Sequence, residues 1–390
     1  MQGKKTKLLL ITNPLQSFGG GERIILEMAS RMKKEFEITI ANPTSKKDTA
    51  RATMGQIRKL YDLRGVDIVE IDSAGFERQA FGKEPYVMRV PKARGFIALK
   101  KLIEETDCIY MIGLNPPVLF WSLSIAQMNK KRFVLGIHNF SFSKLFEPSG
   151  GGFGTITKLA FRRMLGMVSA FHVTNNRDLE IARRHYPRAQ VSNIPNFVTS
   201  STTKAKMNRK EFICLFVGRL DVNQKGVDYF AQVVEKTLAM NNKVIFEIAG
   251  SGGEGERIIK SLVKKHKKNV RWLGFVQKDK LEGLYDRVSL LVNTSRGEAF
   301  AVVVIEAGSH GVPAIAFDIA GPRDIIKNET YGKIVPNFDT ERYAEEIVGY
   351  YTKWKDSAKF AAQKQRLLSS INREYGAKNI LVRLGKFLRG

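Results

Sequence analysis

Acidic residues and cysteine are what this chain is short of. Lys and Arg number 64 against 38 Asp and Glu, giving a net charge of +26 and a pI near 10. Such an imbalance bears on partners rather than on fold. Nucleic acid, an anionic membrane surface and anionic substrates all fit it. The two cysteines, Cys108 and Cys214, sit in apolar runs that read as buried strands. They make neither a disulfide framework nor a metal-ligand spacing, which favours a reducing compartment. Histidine is also sparse, and no HExxH, Cys/His cluster, GxSxG or DxD pair occurs. The sequence therefore offers no metal site and no serine nucleophile. No stretch reaches the roughly 18 apolar residues of a membrane-spanning helix. The N-terminal MQGKKTKLLLITNP has an apolar run too short for a signal-peptide core and lacks a small-residue cleavage site. It reads as a first strand. The expected location is cytoplasmic, with peripheral attachment to the inner face of the cell membrane compatible with the charge.

At 390 residues the chain exceeds one typical core, so two domains are expected. Strands and helices alternate along both halves. In the first half, strands are read near 7–12, 37–41, 66–71, 108–112, 133–137, 170–174 and 190–194, with helices between them. Residues 73–94 give no clear period. Residues 196–210 are polar and basic and read as a linker. The second half repeats the alternation, with strands near 212–217, 244–249, 270–273, 289–292, 314–317 and 333–335, and a helical tail from about 340. This pattern predicts an α/β chain of two doubly wound, Rossmann-like parallel sheets. A ligand cleft is then expected between them, at the strand C-terminal ends. The loops 13–21, 138–154, 218–225 and 294–301 all follow strands and are candidates for it.

The stretch 294–307, TSRGEAFAVVVIEA, reads as a turn between a strand and a helix. Free N–H groups there suit an anion. Glu298 and Glu306 would be repelled by a phosphate and are better placed to accept from hydroxyls. Glutamate also opens helices merely to complement the dipole, so a structural role stays open. In 216–226, FVGRLDVNQKG, Gly218 ends a strand while Arg219 and Lys225 bracket the next turn. A guanidinium and an ammonium so placed can hold a diphosphate. A surface loop in so basic a chain is the alternative. The spacing GxxxxGK[ST] is absent. Gly250, Gly252 and Gly255 do satisfy GxGxxG, but the next strand ends in Gly274 and Phe275 without the acid a dinucleotide site needs. A glycine turn tightening a strand–helix junction is the reading preferred.

Gly19, Gly20 and Gly21 precede a helix and would let backbone approach a phosphate, or form a simple turn. His138 and Asn139 end a strand and open a long loop, a position that favours the cleft. His172 is mid-strand and reads as a satisfied core residue. The helix at 155–167 sets Lys158, Arg162 and Arg163 beside Ile156, Leu159, Phe161 and Leu165. It suits an anionic membrane surface, or packs its apolar face on the sheet.

With these residues in hand, the chain resembles the retaining glycosyltransferases of family 4, which have the GT-B fold. The E-x7-E motif matches Glu298 through Glu306, with EAFA where the family has EGFG. VGRL…KG matches Gly218, Arg219 and Lys225. The AGSG turn matches 249–252, IPNFV at 194–198 stands where the family has IPNGV, the glycine loop matches Gly19–Gly21, and His138 matches the family's active-site histidine. The resemblance implies metal-free transfer, with retention, from a nucleotide-diphosphate sugar and without a further cofactor. Arg219 and Lys225 would hold the diphosphate, and Glu306 the ribose hydroxyls. Glu298, with the amides near Phe300, Ala301 and Val302, would hold the sugar. His138 would contact that sugar, and Gly20 and Gly21 would let the loop close on phosphate. Domains of 1–196 (acceptor) and 211–375 (donor) are implied, joined by 197–210, with the helix 376–390 returning to the first.

The function expected is hexosyl transfer to a glycan or lipid-linked acceptor in cell-envelope polysaccharide or glycoconjugate synthesis. Peripheral contact with anionic membrane would run through 155–167. The rivals are another GT-B enzyme, a sugar-nucleotide epimerase or phosphorylase, and a basic nucleic-acid-binding protein. Against the last, the basic residues are dispersed and no aromatic RNP-type motif occurs; no nucleic-acid partner is expected.

Overall fold

A computed structural model describes residues 5–17, 20–46, 48, 52–79, 85–113, 115–138, 142, 146, 155–199, 204–208 and 210–390. The chain divides into two compact units. Unit 1 comprises Met1–Pro195 and Leu381–Gly390, and unit 2 comprises Asn196–Ile380.

Unit 1 holds β1 (Thr6–Ile11), β2 (Phe36–Thr44), β3 (Asp67–Gln79), β4 (Pro85–Pro91), β5 (Cys108–Ile112), β6 (Arg132–Ile137), β7 (Ala170–Val173) and β8 (Gln190–Asn193). They form one sheet in the order β4-β3-β2-β1-β5-β6-β7-β8. Every pairing is parallel except β3 with β4. β5 is buried throughout and β1 from Leu8 onward, because helices cover both faces of a parallel sheet. The β3–β4 hairpin falls where the sequence gave no period. Its physical reason is an inward charge: Arg89 of β4 is buried and its guanidinium bonds Asp48 and the Val87 carbonyl. Pro85 and Pro91 bound the strand, as suits a sheet edge. The last helix, Ala377–Arg389, gives Leu384, Phe387 and Leu388 to the core of this unit. Arg132 donates to the Phe387 carbonyl at 2.7 Å, and Arg389 pairs with Glu35 at 3.0 Å.

Unit 2 holds β9 (Phe212–Val217), β10 (Val244–Ala249), β11 (Val270–Gly274), β12 (Leu290–Asn293), β13 (Ala314–Phe317) and β14 (Gly332–Val335). The order is β11-β10-β9-β12-β13-β14, with every pairing parallel. Alternation splits the core into two layers. Phe212, Cys214 and Phe216 of β9 enter one cluster, and Ile213 and Leu215 enter the other. The two thiols are buried and free, in β5 and β9; burial pushes Cys108 up to about 12.

Among the described residues, no helix is long and apolar enough to cross a membrane. The helix Thr155–Leu165 turns Phe161 and Leu165 into the core of unit 1, while Leu159 is 65% exposed. Its apolar face is thus largely an internal packing face. The side chains of 155–158, Ile156 and Lys158 included, lie outside the described residues.

Candidate functional site

The candidate residues of unit 2 lie on loops that leave β9 and β12, which are neighbours in the sheet. After β9 the chain passes Gly218 and Arg219 to Asp221. Asp221 caps the short helix Val222–Lys225, accepting from the Gln224 amide at 2.8 Å. Gly226 then takes the left-handed conformation, φ 63°, and starts the helix Val227–Met240. A Cβ on Gly226 would stand 2.1 Å from the Thr294 carbonyl oxygen, so glycine is needed both for the turn and for the approach of the β12 loop. Thr294 closes the junction by donating to the Lys225 and Gly226 carbonyls at 3.2 and 3.1 Å.

This junction brings Lys225 to Glu298. The Lys225 ammonium pairs with a Glu298 carboxylate oxygen, which also accepts from the Ser295 hydroxyl at 2.8 Å. Both side chains are largely buried, 18% and 10% exposed. The Lys225 stem lies across Gly218, 3.5 Å from where a Cβ would be. Arg219 is more open, 42% exposed, and its guanidinium reaches Gln224 at 3.0 Å and Asp221 at 3.4 Å. A second clamp ties the same loops. Arg296 makes a bidentate pair with Asp228 at 2.6 and 2.7 Å and lies 4.1 Å over the Tyr229 ring. Burial raises the Asp228 pKa, but Arg296 outweighs it and holds the carboxyl below its usual range.

Beyond Glu298, Phe300 is buried and meets Tyr375 edge-on at 5.9 Å. Ala301 has φ 52° and ψ 61° and caps the helix Val302–Gly308, so a residue with a Cβ occupies a left-handed position. Val302 is the first residue of that helix. Glu306 is two turns on from Glu298, and its carboxylate accepts from the Tyr285 hydroxyl at 3.3 Å.

The GxGxxG glycines have a structural explanation. A Cβ on Gly250 would stand 1.8 Å from the Gly218 carbonyl oxygen, and one on Gly255 would stand 2.7 Å from that of Leu220. The turn after β10 packs against the Arg219 loop and donates to it, Gly255 to the Leu220 carbonyl at 2.8 Å. Its glycines let two backbones approach.

In unit 1, Gly20 and Gly21 are the first residues of the helix Gly20–Met32, and Gly19 lies outside the described residues, as does Asn139. His138 directly follows β6 and is 7% exposed. Its Nε2 lies 2.8 Å from the Tyr110 hydroxyl, which is 2.7 Å from His172 Nδ1. Sequence reasoning missed Tyr110 as a partner of His138, and Ser295, Gln224 and Tyr285 as partners of the unit 2 residues. Only the i, i+3 polar spacing around Glu298 and Asp221 hints at Ser295 and Gln224.

Residues 211–353 match the family model described as glycosyl transferases group 1. An uncharacterised glycosyltransferase of Methanocaldococcus jannaschii is 38% identical over 125 residues, 31% of each chain. The poly(ribitol-phosphate) alpha-N-acetylglucosaminyltransferase of Staphylococcus aureus is 24% identical over 285 residues, 73% of this chain and 56% of that one. This chain spans about a third to just over half the length of the curated relatives it matches. Among solved structures, that of Anabaena HepE with UDP and glucose superposes with a TM-score of 0.71 at 15% identity, covering 98% of this chain and 99% of that one. The chain thus consists of two Rossmann-like units of the GT-B glycosyltransferase fold, and the segment that matches group 1 glycosyl transferases is the one that carries Arg219, Lys225, Glu298 and Glu306.

Proposed function

We propose that this protein is a retaining glycosyltransferase that moves a hexosyl group from a nucleotide-diphosphate sugar to a glycan or lipid-linked acceptor. The observation that carries the reading is the Lys225–Glu298 ion pair, with Arg219 on the same loop as Lys225, within the matched segment. In this pair Glu298 neutralises Lys225. An arriving diphosphate offers Lys225 and the more open Arg219 a stronger, charge-assisted partner. Glu298 then turns to a sugar hydroxyl, with the amides near Phe300, Ala301 and Val302, and Glu306 accepts from the ribose hydroxyls. His138 contacts the sugar, and Gly20 and Gly21 let the backbone approach phosphate.

In the transfer step the bond from the anomeric carbon to the diphosphate oxygen breaks. The acceptor oxygen bonds to that carbon on the same face, and its proton passes to the leaving phosphate. Fixed positive charge on the leaving group is then the main catalytic contribution. No enzymic nucleophile and no metal is required. Acceptor-dependent release of nucleoside diphosphate, insensitive to a chelator, with retained anomeric configuration in the product, is the expected result. Arg219→Ala should lower turnover roughly 100-fold or more. Release without acceptor would favour the epimerase or phosphorylase alternative, and near-normal turnover in Arg219→Ala would remove the donor-site assignment. Relatives named for poly(ribitol-phosphate) and phosphatidylinositol acceptors, the Staphylococcus aureus enzyme and the yeast N-acetylglucosaminyltransferase subunit, support the acceptor class.

Contact of unit 1 with anionic membrane is part of this reading. Its support is the net charge and a set of exposed apolar side chains. Leu159 and Arg163 are exposed on the helix Thr155–Leu165, and Phe120, Trp121 and Met128 on the helix Pro116–Met128. Gln127 of the second helix donates to the carbonyl of Met167, just past the end of the first, at 3.4 Å. Co-sedimentation with phosphatidylglycerol vesicles, but not with phosphatidylcholine alone, is expected. Equal recovery with both, or none with either, would rule this out.

A further inference from the structure

A cavity of about 500 Å³ lies within unit 2, and none of its lining residues belongs to the loops that follow β9 and β12. One wall is the helix Ser357–Tyr375, and the other is the turn 327–331 between the helix Ala320–Ile325 and β14. The helix gives Phe360, Leu367 and Ile371 to the core. Arg366, Ser369, Ser370 and Arg373 follow at i, i+3, i+4 and i+7, so they share one face, and that face is the cavity wall. The turn opposite is shaped by Asn328. Its side-chain oxygen accepts from the Thr330 amide at 2.9 Å, and its carbonyl from the Tyr331 amide at 3.0 Å.

The charged side chains of the lining are Lys327, Arg366, Arg373 and Glu374. The Lys327 ammonium pairs with the Glu374 carboxylate, which also accepts from the Tyr331 hydroxyl at 2.5 Å. Burial raises the Glu374 pKa, but Lys327 and Tyr331 outweigh it and hold the carboxyl below its usual range. That pair is internally neutral, so the net charge of the lining is that of the two arginines. Both are exposed, and among the described residues neither guanidinium makes an ion pair or a hydrogen bond. A phosphomonoester carries a charge of about −2 near pH 7 and three strong acceptor oxygens. It matches two guanidinium forks with the Ser369 and Ser370 hydroxyls between them. A carboxylate, a sulfate ester or a phosphodiester brings only a single charge. The cavity is larger than a phosphate needs and falls in the range of small-molecule sites. No described residue of its lining is aliphatic, which disfavours an acyl chain. The Thr330 hydroxyl and the Glu374 carboxylate suit hydroxyl groups instead.

We propose that this cavity is a second small-molecule site, for the phosphomonoester of a polyol or sugar, with its phosphate between Arg366 and Arg373 and its hydroxyls toward Thr330 and Glu374. The site shares no residue with the Lys225–Glu298 pair or with Arg219. It therefore stands whether or not the transferase reading does.

The test is calorimetric titration of sorbitol 6-phosphate into the full chain at about 0.15 M salt, with inorganic phosphate as the comparator. The ester should bind at one site, roughly 10-fold or more tighter than inorganic phosphate. Joint replacement Arg366→Ala and Arg373→Ala should weaken it by roughly 10- to 100-fold, as loss of charge-assisted bonds predicts. The melting temperature should not change, since both side chains are exposed. Arg219→Ala should leave the affinity for the ester as it is. Affinity should fall from about pH 7.5 to about pH 5, as the monoester takes up its second proton near pH 6. No binding of the ester, equal affinity in the double variant, a loss in Arg219→Ala, or inorganic phosphate binding as tightly as the ester would each overturn the proposal. UDP should bind wild type and the double variant alike; a parallel loss of UDP would mean that the arginines serve the nucleotide and would remove the second site.

Discussion

Ala301 stands at a left-handed position, φ 52°, immediately before the helix Val302–Gly308. For a residue with a Cβ that conformation costs roughly 1–2 kcal/mol, whereas glycine adopts it freely but loses about 0.5–1 kcal/mol of chain entropy. The difference favours glycine, so Ala301→Gly should stabilise the protein by about 0.5–1 kcal/mol in denaturant melts. A loss of stability would show that the Cβ of Ala301, 4% exposed, contributes packing that outweighs the strain. The resemblance already marked 299 and 301 as places where alanine replaces glycine. The backbone angle gives the physical content of that difference at 301. His172 makes a second prediction at this scale. Its folded pKa of about 4 lies below the ordinary 6.5. The unfolded chain therefore binds the extra proton first, and stability falls as pH drops from about 6.5 to about 4. The full effect is on the order of 3 kcal/mol. Equilibrium unfolding of wild type and His172→Gln across that range should show a shallower slope in the variant. Parallel slopes would contradict a neutral buried imidazole.

At the scale of elements, most of the parallel strands were legible because each is a short, nearly continuous apolar run bounded by turn residues. The β3–β4 hairpin was not, because its inward positions include Arg89, satisfied by Asp48 and hidden from any apolar pattern. The amphipathic pattern of 155–167 was read correctly as helix. Period alone does not say what an apolar face meets, and here Phe161 and Leu165 meet the unit 1 core. The glycines at 250 and 255 show the converse: a motif written for a ligand also arises where one backbone packs on another. Gly226 is the sharpest case in unit 2, since its turn aligns Lys225 with Glu298. Gly226→Ala combines a positive φ with a Cβ 2.1 Å from the Thr294 carbonyl oxygen. It should destabilise unit 2 by at least about 2 kcal/mol and weaken nucleotide binding. A neutral melt would mean that the Thr294 loop moves aside at no cost.

Over the whole molecule, alternating elements and length made the two Rossmann-like units legible, and local motifs nominated Arg219, Lys225, Glu298 and Glu306 as candidates. What the sequence left hidden were contacts between side chains far apart in the chain. Glu298 bonds Lys225 from 73 residues away, and Tyr110 bonds His172 from 62. No spacing rule reaches so far. The net charge of +26 adds a general attraction for anionic ligands, screened by salt, and a specific diphosphate site must be distinguished from it. The most direct test of the central claim is therefore calorimetric titration of UDP, GDP and ADP into wild type and Arg219→Ala at about 0.15 M salt. One nucleotide should bind wild type with one-site stoichiometry, and Arg219→Ala should weaken it by roughly 10- to 100-fold, as loss of a charge-assisted bond predicts, with its melting temperature unchanged. Absence of binding by all three nucleotides, or equal affinity in the variant, would contradict the account.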